Sequence, residues 1–472
     1  MEYIRKGISV MKRLQQRLFR TRIYSSGIGL CILMLALLSG CAGAEKTLLD
    51  GTLQGSLPVE STGLTIQKTI SASADSGLEE ADPADANQEN SEGKLAQGLS
   101  ENTLSESEEE ATGAGTEYRI VMVGDVLLHA PVEESCRRPD GSYNYDSLFA
   151  HTNEEISAAD LALVNQEVII GGSELGISGY PCFNADFSLC DSLASTGFDV
   201  ICHATNHALD KGRAGLISCA QHWREQYPQI TVLGIHDTAD TATSWGADPV
   251  IIELPELCIA VLNYTYGTNG IPLPEDMPYA VDLLNEEQVA ADLRRAEELA
   301  DFTIVCPHWG TEYRLTPDAS QEKWVQIFLE NGADLVLGTH PHVIEPIEWV
   351  TDPENGHEML VYYSLGNFVN WTSGTGEGVA NRMVGGMAEV TITMNDVGEA
   401  EITDYGVRPL VSHVTAGSGG VTTYFLEDYT QELEAQNEIT LQDSDFSLEY
   451  CINLCDSVWG DLWKKSICNF SY

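Results

Sequence analysis

What most constrains this chain is a repeated junction: a short apolar, β-branched run that stops at an acid, an amide or an imidazole. Gly197–Gly212, GFDVICHATNHALDKG, is the fullest case. Phe198–Cys202 reads as a buried strand. Asn206 and His207 stand just past its end, Asp210 follows, and Lys211-Gly212 opens a helical segment. The junction recurs along the chain. Arg119–Val123 stops at Gly124-Asp125, and Asp160–Val164 at Asn165-Gln166-Glu167. Phe302–Cys306 stops at Pro307-His308-Trp309-Gly310, Asp334–Leu337 at Gly338-Thr339-His340-Pro341-His342, and Leu360–Ser364 at Leu365-Gly366-Asn367-Phe368. Thr231–Ile235 and Cys258–Tyr264 are further strands. Helices are expected over Asp186–Thr196, Asn285–Ala300 and Ser320–Asn331, the last capped by Ser320. Strands alternating with helices predict an α/β domain. Met387–Met394 and Glu399–Arg408 alternate without helices and predict an antiparallel portion. In open α/β sheets, sites form outside the carboxyl ends of strands, so these junctions are expected to converge.

The chain carries 24 Lys+Arg against 72 Asp+Glu in 472 residues, a net charge of −48. Such a polyanion repels nucleic acid and acidic membrane surfaces and favours metal cations and basic partners. The N-terminus runs the other way. Arg5, Lys6, Lys12, Arg13, Arg17, Arg20 and Arg22 precede the apolar segment Gly27–Leu38, which ends Leu38-Ser39-Gly40-Cys41. A basic region, a short apolar core and small residues make a secretory signal. Cys41 after Leu-Ser-Gly is similar to a bacterial lipoprotein box, with Cys41 lipidated. This predicts a lipid anchor in the cell membrane with the rest of the chain on the extracytoplasmic face. An uncleaved anchor is the alternative, although Gly27–Leu38 is short for a span of roughly 20 residues. Residues 42–116 hold 15 acids, 3 lysines and no aromatic residue. They read as a disordered acidic linker that gives reach. The divisions expected are therefore a signal over 1–41, a linker over 42–116, a folded domain over 117–415, and an extension over 416–472. Gly417–Gly420 is a break, and Asp428–Asn437 is helix-like.

The strand ends collect Asp125, Glu167, Asn206-His207, His308, His340 and His342. Four of the 11 histidines lie there. Two carboxylates, one amide and three imidazoles suit divalent Zn, Mn or Fe. Six such groups exceed the needs of one four-coordinate ion, whereas two ions bridged by a carboxylate use them all. Paired ions clamp the attacking and leaving oxygens of phosphoryl transfer. His207 is then left as general acid or base, and Asp210, one turn on, can orient it. Cys202, Cys258 and Cys306 lie inside apolar runs and read as core rather than ligands.

Gly124-Asp125, Asn165–Glu167, Ala204–Gly212, Pro307–Tyr313, Gly332–Val343 and Tyr363–Phe368 occur in that order. Together they resemble the CapA family of poly-γ-glutamate capsule biosynthesis proteins, over Tyr118 to about His413. The resemblance implies the calcineurin-like metallophosphoesterase fold, a two-sheet β-sandwich flanked by helices. It also implies two metals at the strand ends. Asp125 and His342 would hold the first, Glu167 would bridge, and Asn206, His308 and His340 would hold the second. His207 would protonate the leaving group, and Glu312, Tyr313 and Asn367 would shape the pocket. In the wider superfamily a His stands two residues after the first Asp. Here that position is Leu127, and the nearest imidazole is His129. The function implied is a two-metal hydrolase in capsule or surface-polymer synthesis, acting with a membrane complex. The alternatives are a non-catalytic assembly factor that keeps the fold and a γ-glutamyl amide hydrolase using the same residues.

Ten cysteines lie outside the signal, and an extracytoplasmic setting permits disulfides. Cys451 and Cys455, at i and i+4, can equally be free thiols on one helix face. Trp459 and Trp463 share that spacing and read as a packing stripe, with a membrane-contacting tail as the alternative.

Overall fold

The computed structural model describes residues 65–67, 116–371, 374–395, 397–415 and 420–468. The signal, Cys41 and most of the linker lie outside the described residues. Among those that are described, no helix is long and apolar enough to cross a membrane.

The strands in chain order are β1 (Thr65–Gln67), β2 (Glu117–Val126), β3 (Leu161–Asn165), β4 (Val200–Cys202), β5 (Thr231–Leu233), β6 (Val250–Glu253), β7 (Cys258–Thr265), β8 (Phe302–His308), β9 (Leu335–Leu337), β10 (Ile347–Thr351), β11 (Glu358–Tyr362), β12 (Asn367–Val369), β13 (Val384–Met394), β14 (Ala400–Thr415) and β15 (Gly420–Phe425). They form two sheets. One has seven strands in the order β1-β6-β7-β8-β9-β11-β10. The other has eight, in the order β15-β14-β13-β2-β3-β4-β5, with β12 pairing β2. Strands β2 to β5 run parallel, as do β7, β8, β9 and β11. The antiparallel portion expected from the helix-free stretch is β13-β14, and β15 extends it.

The side-chain alternation of the seven-stranded sheet divides its residues between two layers. In β8, Phe302, Ile304 and Cys306 face the larger core, shared with Ile120 and Met122 of β2, while Val305 faces the smaller one. In β11, Leu360 and Tyr362 face the first and Met359 and Val361 the second. Both faces are covered, which is why these runs read as continuously apolar. The Cys306 thiol lies 3.8 Å from the Met122 sulfur, and the Tyr362 hydroxyl donates to the Gly406 carbonyl of β14 at 2.8 Å. The two sheets therefore pack face to face. Helices Glu286–Leu299 and Ala319–Glu330 cover the outer face of the seven-stranded sheet through Val289, Leu293, Trp324 and Phe328. Helices Ser188–Thr196 and Gly212–Gln226 bury Leu189, Leu193, Leu216 and Trp223 in the larger core. Each such side chain contributes about 1.5–3 kcal/mol. The result is the helix-flanked two-sheet α/β sandwich that the resemblance implies.

Several boundaries differ from expectation. The helix at 319–330 is capped by Asp318 in a capping box with Gln321, not by Ser320. Asp318 wins because its carboxylate accepts from both the Ser320 and Gln321 backbone N–H groups. Asp428–Asn437 forms only the short helix Gln431–Glu434 between 3-10 turns. Thr65–Gln67, inside the stretch read as linker, pairs with β6 as a sheet edge. Position 415 is not the edge of the sheet either, because β14 turns back into β15. Beyond it, helix Leu448–Trp459 buries Cys451, Leu454, Cys455 and Trp459 in the larger core. Cys451 and Cys455 are free thiols. Trp459 donates to the Glu345 carbonyl at 2.9 Å, and Trp463 is also buried, so both tryptophans pack against protein.

Candidate metal centre

The parallel strands of the two sheets end at one edge of the sandwich, and the junctions meet there. Asp125 closes β2, Glu167 follows β3, and Asn206 follows β4. His308 ends β8, while His340 and His342 follow β9. Asn367 opens β12 in register with Asp125. That last pairing needs Gly124, because a Cβ there would lie 1.9 Å from the Gly366 carbonyl oxygen. The sheets are stitched beside the site by Asn263 of β7. Its amide oxygen accepts from the Ala204 N–H at 2.7 Å, and its amide nitrogen donates to the Cys306 carbonyl at 2.8 Å.

Glu167 sits at the middle with no exposure. The ring nitrogens His342 Nε2, His308 Nε2 and His207 Nε2 stand 3.6, 3.8 and 3.9 Å from its Oε1. Neither oxygen of Glu167 has a hydrogen-bond partner, and neither does His340 Nδ1, 3% exposed at the residue level. Buried polar atoms left this way are costly. Ligand atoms of Glu167, His340 and His342 lie within 4.8 Å of one another. Asn206 Oδ1 lies 3.0 Å from His308 Nε2. Two atoms each about 2.1 Å from one ion and at 90–110° to each other are about 3.0–3.5 Å apart, so this spacing fits cis ligands.

Electrostatics point the same way. Burial pushes the Glu167 carboxyl well above its usual range. Burial first, and then the neighbouring imidazoles, push His308 and His340 well below theirs, so both rings are neutral. Burial opposes the charged form of His342, but the Glu167 and Asp125 carboxylates outweigh it and raise the ring to about 9. A divalent cation among these groups replaces the protons they otherwise hold. The donor set therefore fits a divalent metal.

Asp125 is engaged differently. Its Oδ1 accepts from Asn165 Nδ2 at 2.8 Å, and its Oδ2 faces His342 Nδ1 at 3.0 Å and the His340 N–H at 3.4 Å. Asn367 Oδ1 also faces His342 Nδ1, at 3.1 Å. Two acceptors on one ring nitrogen fix the proton at Nδ1 and turn Nε2 toward Glu167. His340 and His342 both adopt left-handed backbone, with φ of 100° and 59°, which non-glycine residues rarely adopt.

His207 is held by Asp210, whose Oδ2 accepts from His207 Nδ1 at 2.7 Å and from the Phe183 N–H at 2.7 Å. Phe183 meets the His207 ring edge-on, with centroids 4.6 Å apart. Of the pocket residues, Tyr313 is 45% exposed at the rim, 6.1 Å from the His342 ring, with the exposed Glu312 carboxylate beside its hydroxyl.

The structure thus brings together every expected ligand, His207 and its Asp210. It also adds residues to which the sequence assigns no role. Asn165 bridges Asp125 and His308, whose Nδ1 lies 3.4 Å away. Tyr266, past the end of β7, lies over His340 with centroids 4.7 Å apart, and Asn269 Oδ1 accepts from Asn206 at 3.3 Å. His129 packs on Phe183 at the same mouth, where burial, His342, His207 and Arg382 lower it to about 4. An amide beside a ligand, as in Asn165-Gln166-Glu167, was the available signal for the first of these.

Comparison with known proteins places the chain. The solved structures it is similar to include a phosphatase of Mycoplasma pneumoniae, at 13% identity and TM-score 0.36 over 63% of this chain and 94% of that one. Another is the NAD nucleotidase NadN of Haemophilus influenzae, at 13% identity and TM-score 0.39 over 75% and 67%. Among curated proteins it is 28% identical over 269 residues to the PGA biosynthesis protein CapA of Bacillus subtilis, covering 53% of this chain and 63% of the relative. It is 24% identical over 270 residues to the capsule biosynthesis protein CapA of Bacillus anthracis, covering 54% and 60%. The chain thus spans less than two thirds of the length of these two relatives. The profile of the bacterial capsule synthesis protein PGA_cap matches residues 119–372, more than half of the sequence and every expected ligand of the centre. The chain belongs to the PGA_cap family of bacterial capsule synthesis proteins.

Proposed function

We infer that this protein is a metal-dependent hydrolase of phosphoester-like bonds. It is anchored by lipid at Cys41 on the extracytoplasmic face of the cell membrane, and it serves capsule or surface-polymer synthesis with a membrane complex. The observation that carries the reading is Glu167: a fully buried carboxylate with no hydrogen-bond partner, faced by three imidazoles. Glu167, His340 and His342 would hold one ion, and Asn206 and His308 a second with Glu167 between them. Divalent cations there supply Lewis-acid polarisation of the phosphoryl group and of an attacking water. The protein's own groups do the rest. Asp125 and Asn367 hold His342 in one orientation. Asp210 fixes the His207 proton at Nδ1, so Nε2 faces the centre and can take a proton and deliver it to the leaving oxygen.

The test is metal content of the full chain together with hydrolysis of bis-p-nitrophenyl phosphate, for wild type and His207→Ala. Bound metal with activity reduced about 10²–10⁴-fold in the variant, at unchanged metal content, is the expected result. Metal bound in the Mn, Zn and Fe forms without hydrolysis in any of them overturns it. Two observations favour a second reading, a binding factor without catalysis. Leu127 stands where the wider superfamily has a His, and both Asp125 oxygens are already engaged by protein donors.

A further inference from the structure

The loop that follows β7 brings to the centre a side chain that is neither a ligand nor the acid. Thr268-Asn269-Gly270-Ile271 closes on itself: the Ile271 N–H donates to the Thr268 carbonyl at 2.9 Å, and the Thr268 hydroxyl donates to the Ile271 carbonyl at 2.6 Å. Asn269 and Gly270 have φ of 51° and 75°. Two successive left-handed residues mark a type I′ turn, and Asn-Gly is the pair it favours. The Tyr266 N–H ties the loop to the end of β8 by donating to the His308 carbonyl at 3.0 Å. The turn is therefore fixed beside the centre, and Asn269 is exposed on it.

Asn269 touches two adjacent residues of the centre. Its Oδ1 accepts from Asn206 Nδ2 at 3.3 Å, and its Nδ2 lies 3.5 Å from His207 Nδ1. The first contact decides which end of the Asn206 amide faces inward. With Nδ2 held by Asn269, Oδ1 stands 3.0 Å from His308 Nε2. An amide oxygen has lone pairs for a cation and an amide nitrogen offers only donors, so a flipped Asn206 would not be a ligand. The second contact is not a hydrogen bond. His207 Nδ1 carries the proton that Asp210 accepts at 2.7 Å, and two donors that face each other do not bond. The Asn269 amide nitrogen is thus a donor without an acceptor among the described residues, next to the ring whose Nε2 faces the centre.

We propose that Asn269 has two roles: through Oδ1 it orients the Asn206 amide toward the metal, and through Nδ2 it donates to an oxygen of the anionic group bound beside His207. The ligand class is an oxyanion of the phosphoryl type. This rests on the reading of the centre as a metal-dependent substrate site.

The test uses the full chain and two calorimetric titrations, Mn²⁺ alone and inorganic phosphate with Mn²⁺ bound. Asn269→Gly accepts the left-handed backbone without strain and removes both contacts. It is expected to weaken Mn²⁺ about 10–100-fold, the cost of a lost outer partner, and phosphate about tenfold. Asn269→Asp keeps an oxygen for Asn206 and exchanges the donor for a negative charge. It should hold Mn²⁺ at least as tightly as wild type and lose more phosphate affinity than Asn269→Gly does. A merely structural role would weaken both titrants together in both variants, so the split in Asn269→Asp identifies the two contacts. If Asn269→Gly does not fold by circular dichroism, Asn269→Asp carries the comparison. Wild-type affinities for both titrants in Asn269→Gly, or wild-type phosphate affinity in Asn269→Asp, overturn the proposal. Failure of the underlying reading shows instead in the wild type, as absent Mn²⁺ uptake or no phosphate binding to the Mn²⁺ form, and takes the proposal with it.

Discussion

Glu133 and Glu167 are both buried carboxylates, and their surroundings set them apart. Glu133, 4% exposed, lies on helix Ala130–Ser135, where its Oε2 accepts from the Tyr145 hydroxyl at 2.6 Å and its Oε1 has no partner. Burial pushes it up to about 8. Burial pushes Glu167 up as well. Around Glu133 stand a phenol and, further off, Asp186, so the low-cost solution is to keep the proton. Around Glu167 stand three imidazole nitrogens within 3.9 Å. One of those rings, His308, and the nearby His340 are held neutral by burial. A cation can therefore offset the burial penalty at Glu167 and has no means of doing so at Glu133. A buried acid becomes a site only through the donors that face it.

Glu167→Gln is the most direct way to break that contrast. It keeps the shape and removes the charge, and metal affinity should fall by more than about 100-fold, beyond what loss of an outer partner costs. Metal equivalents unchanged by elemental analysis would remove Glu167 from the centre. Asp125→Asn should do less. Since Asp125 acts on His342 through Nδ1, a loss of about 10–100-fold in affinity at unchanged stoichiometry is expected. Loss of one whole equivalent would instead make Asp125 a ligand, as the family resemblance implies, and the two halves of the centre would then be alike.

The positions of the ligands were legible because a β run ending in a chemistry-bearing residue leaves a local pattern. What those residues do to one another was not. Asp125 acts through His342, 217 positions away, and no spacing records which acceptor a ring nitrogen finds. Asn165 stands in the Asn165–Glu167 motif with no role of its own in the sequence, although its amide joins Asp125 to His308. Tyr266 and Asn269 follow β7, a run whose end carries no acid or imidazole. Arg382 lies in a Gly-rich stretch with no regular period and meets the site through the Asn367 side chain, at the start of β12. At the other end of the sheet, Gly417–Gly420 reads as a domain break, and the antiparallel pairing of β15 back onto β14 carries the sheet past it.

Glu133→Gln has the smallest expected effect and sharpens the contrast from its other side. Glu133 ionises near 4.5 when unfolded and near 8 in the folded protein. Below about 4.5 it is protonated in both states and costs nothing. Between about 4.5 and 8 the unfolded chain releases the proton while the folded one retains it. The folded state then binds more protons, and stability falls as pH rises, by at most about 1.4 kcal/mol per pH unit from this group. Above 8 both states are ionised and the penalty is constant. Gln keeps an acceptor for the Tyr145 hydroxyl and has no proton to lose. The variant should match wild type near pH 4.5 and exceed it by about 1–3 kcal/mol near pH 8, read as a gap in Tm that opens across that window. Glu345, raised to about 7, tilts both proteins alike and drops out of the difference. Metal content should not change, because among the described residues Glu133 belongs to no cluster of metal-ligating side chains. A gap that is already present at pH 4.5 and does not grow would mean that packing rather than ionisation sets the cost. In that case Glu133 would not serve as the proton-keeping counterpart of Glu167.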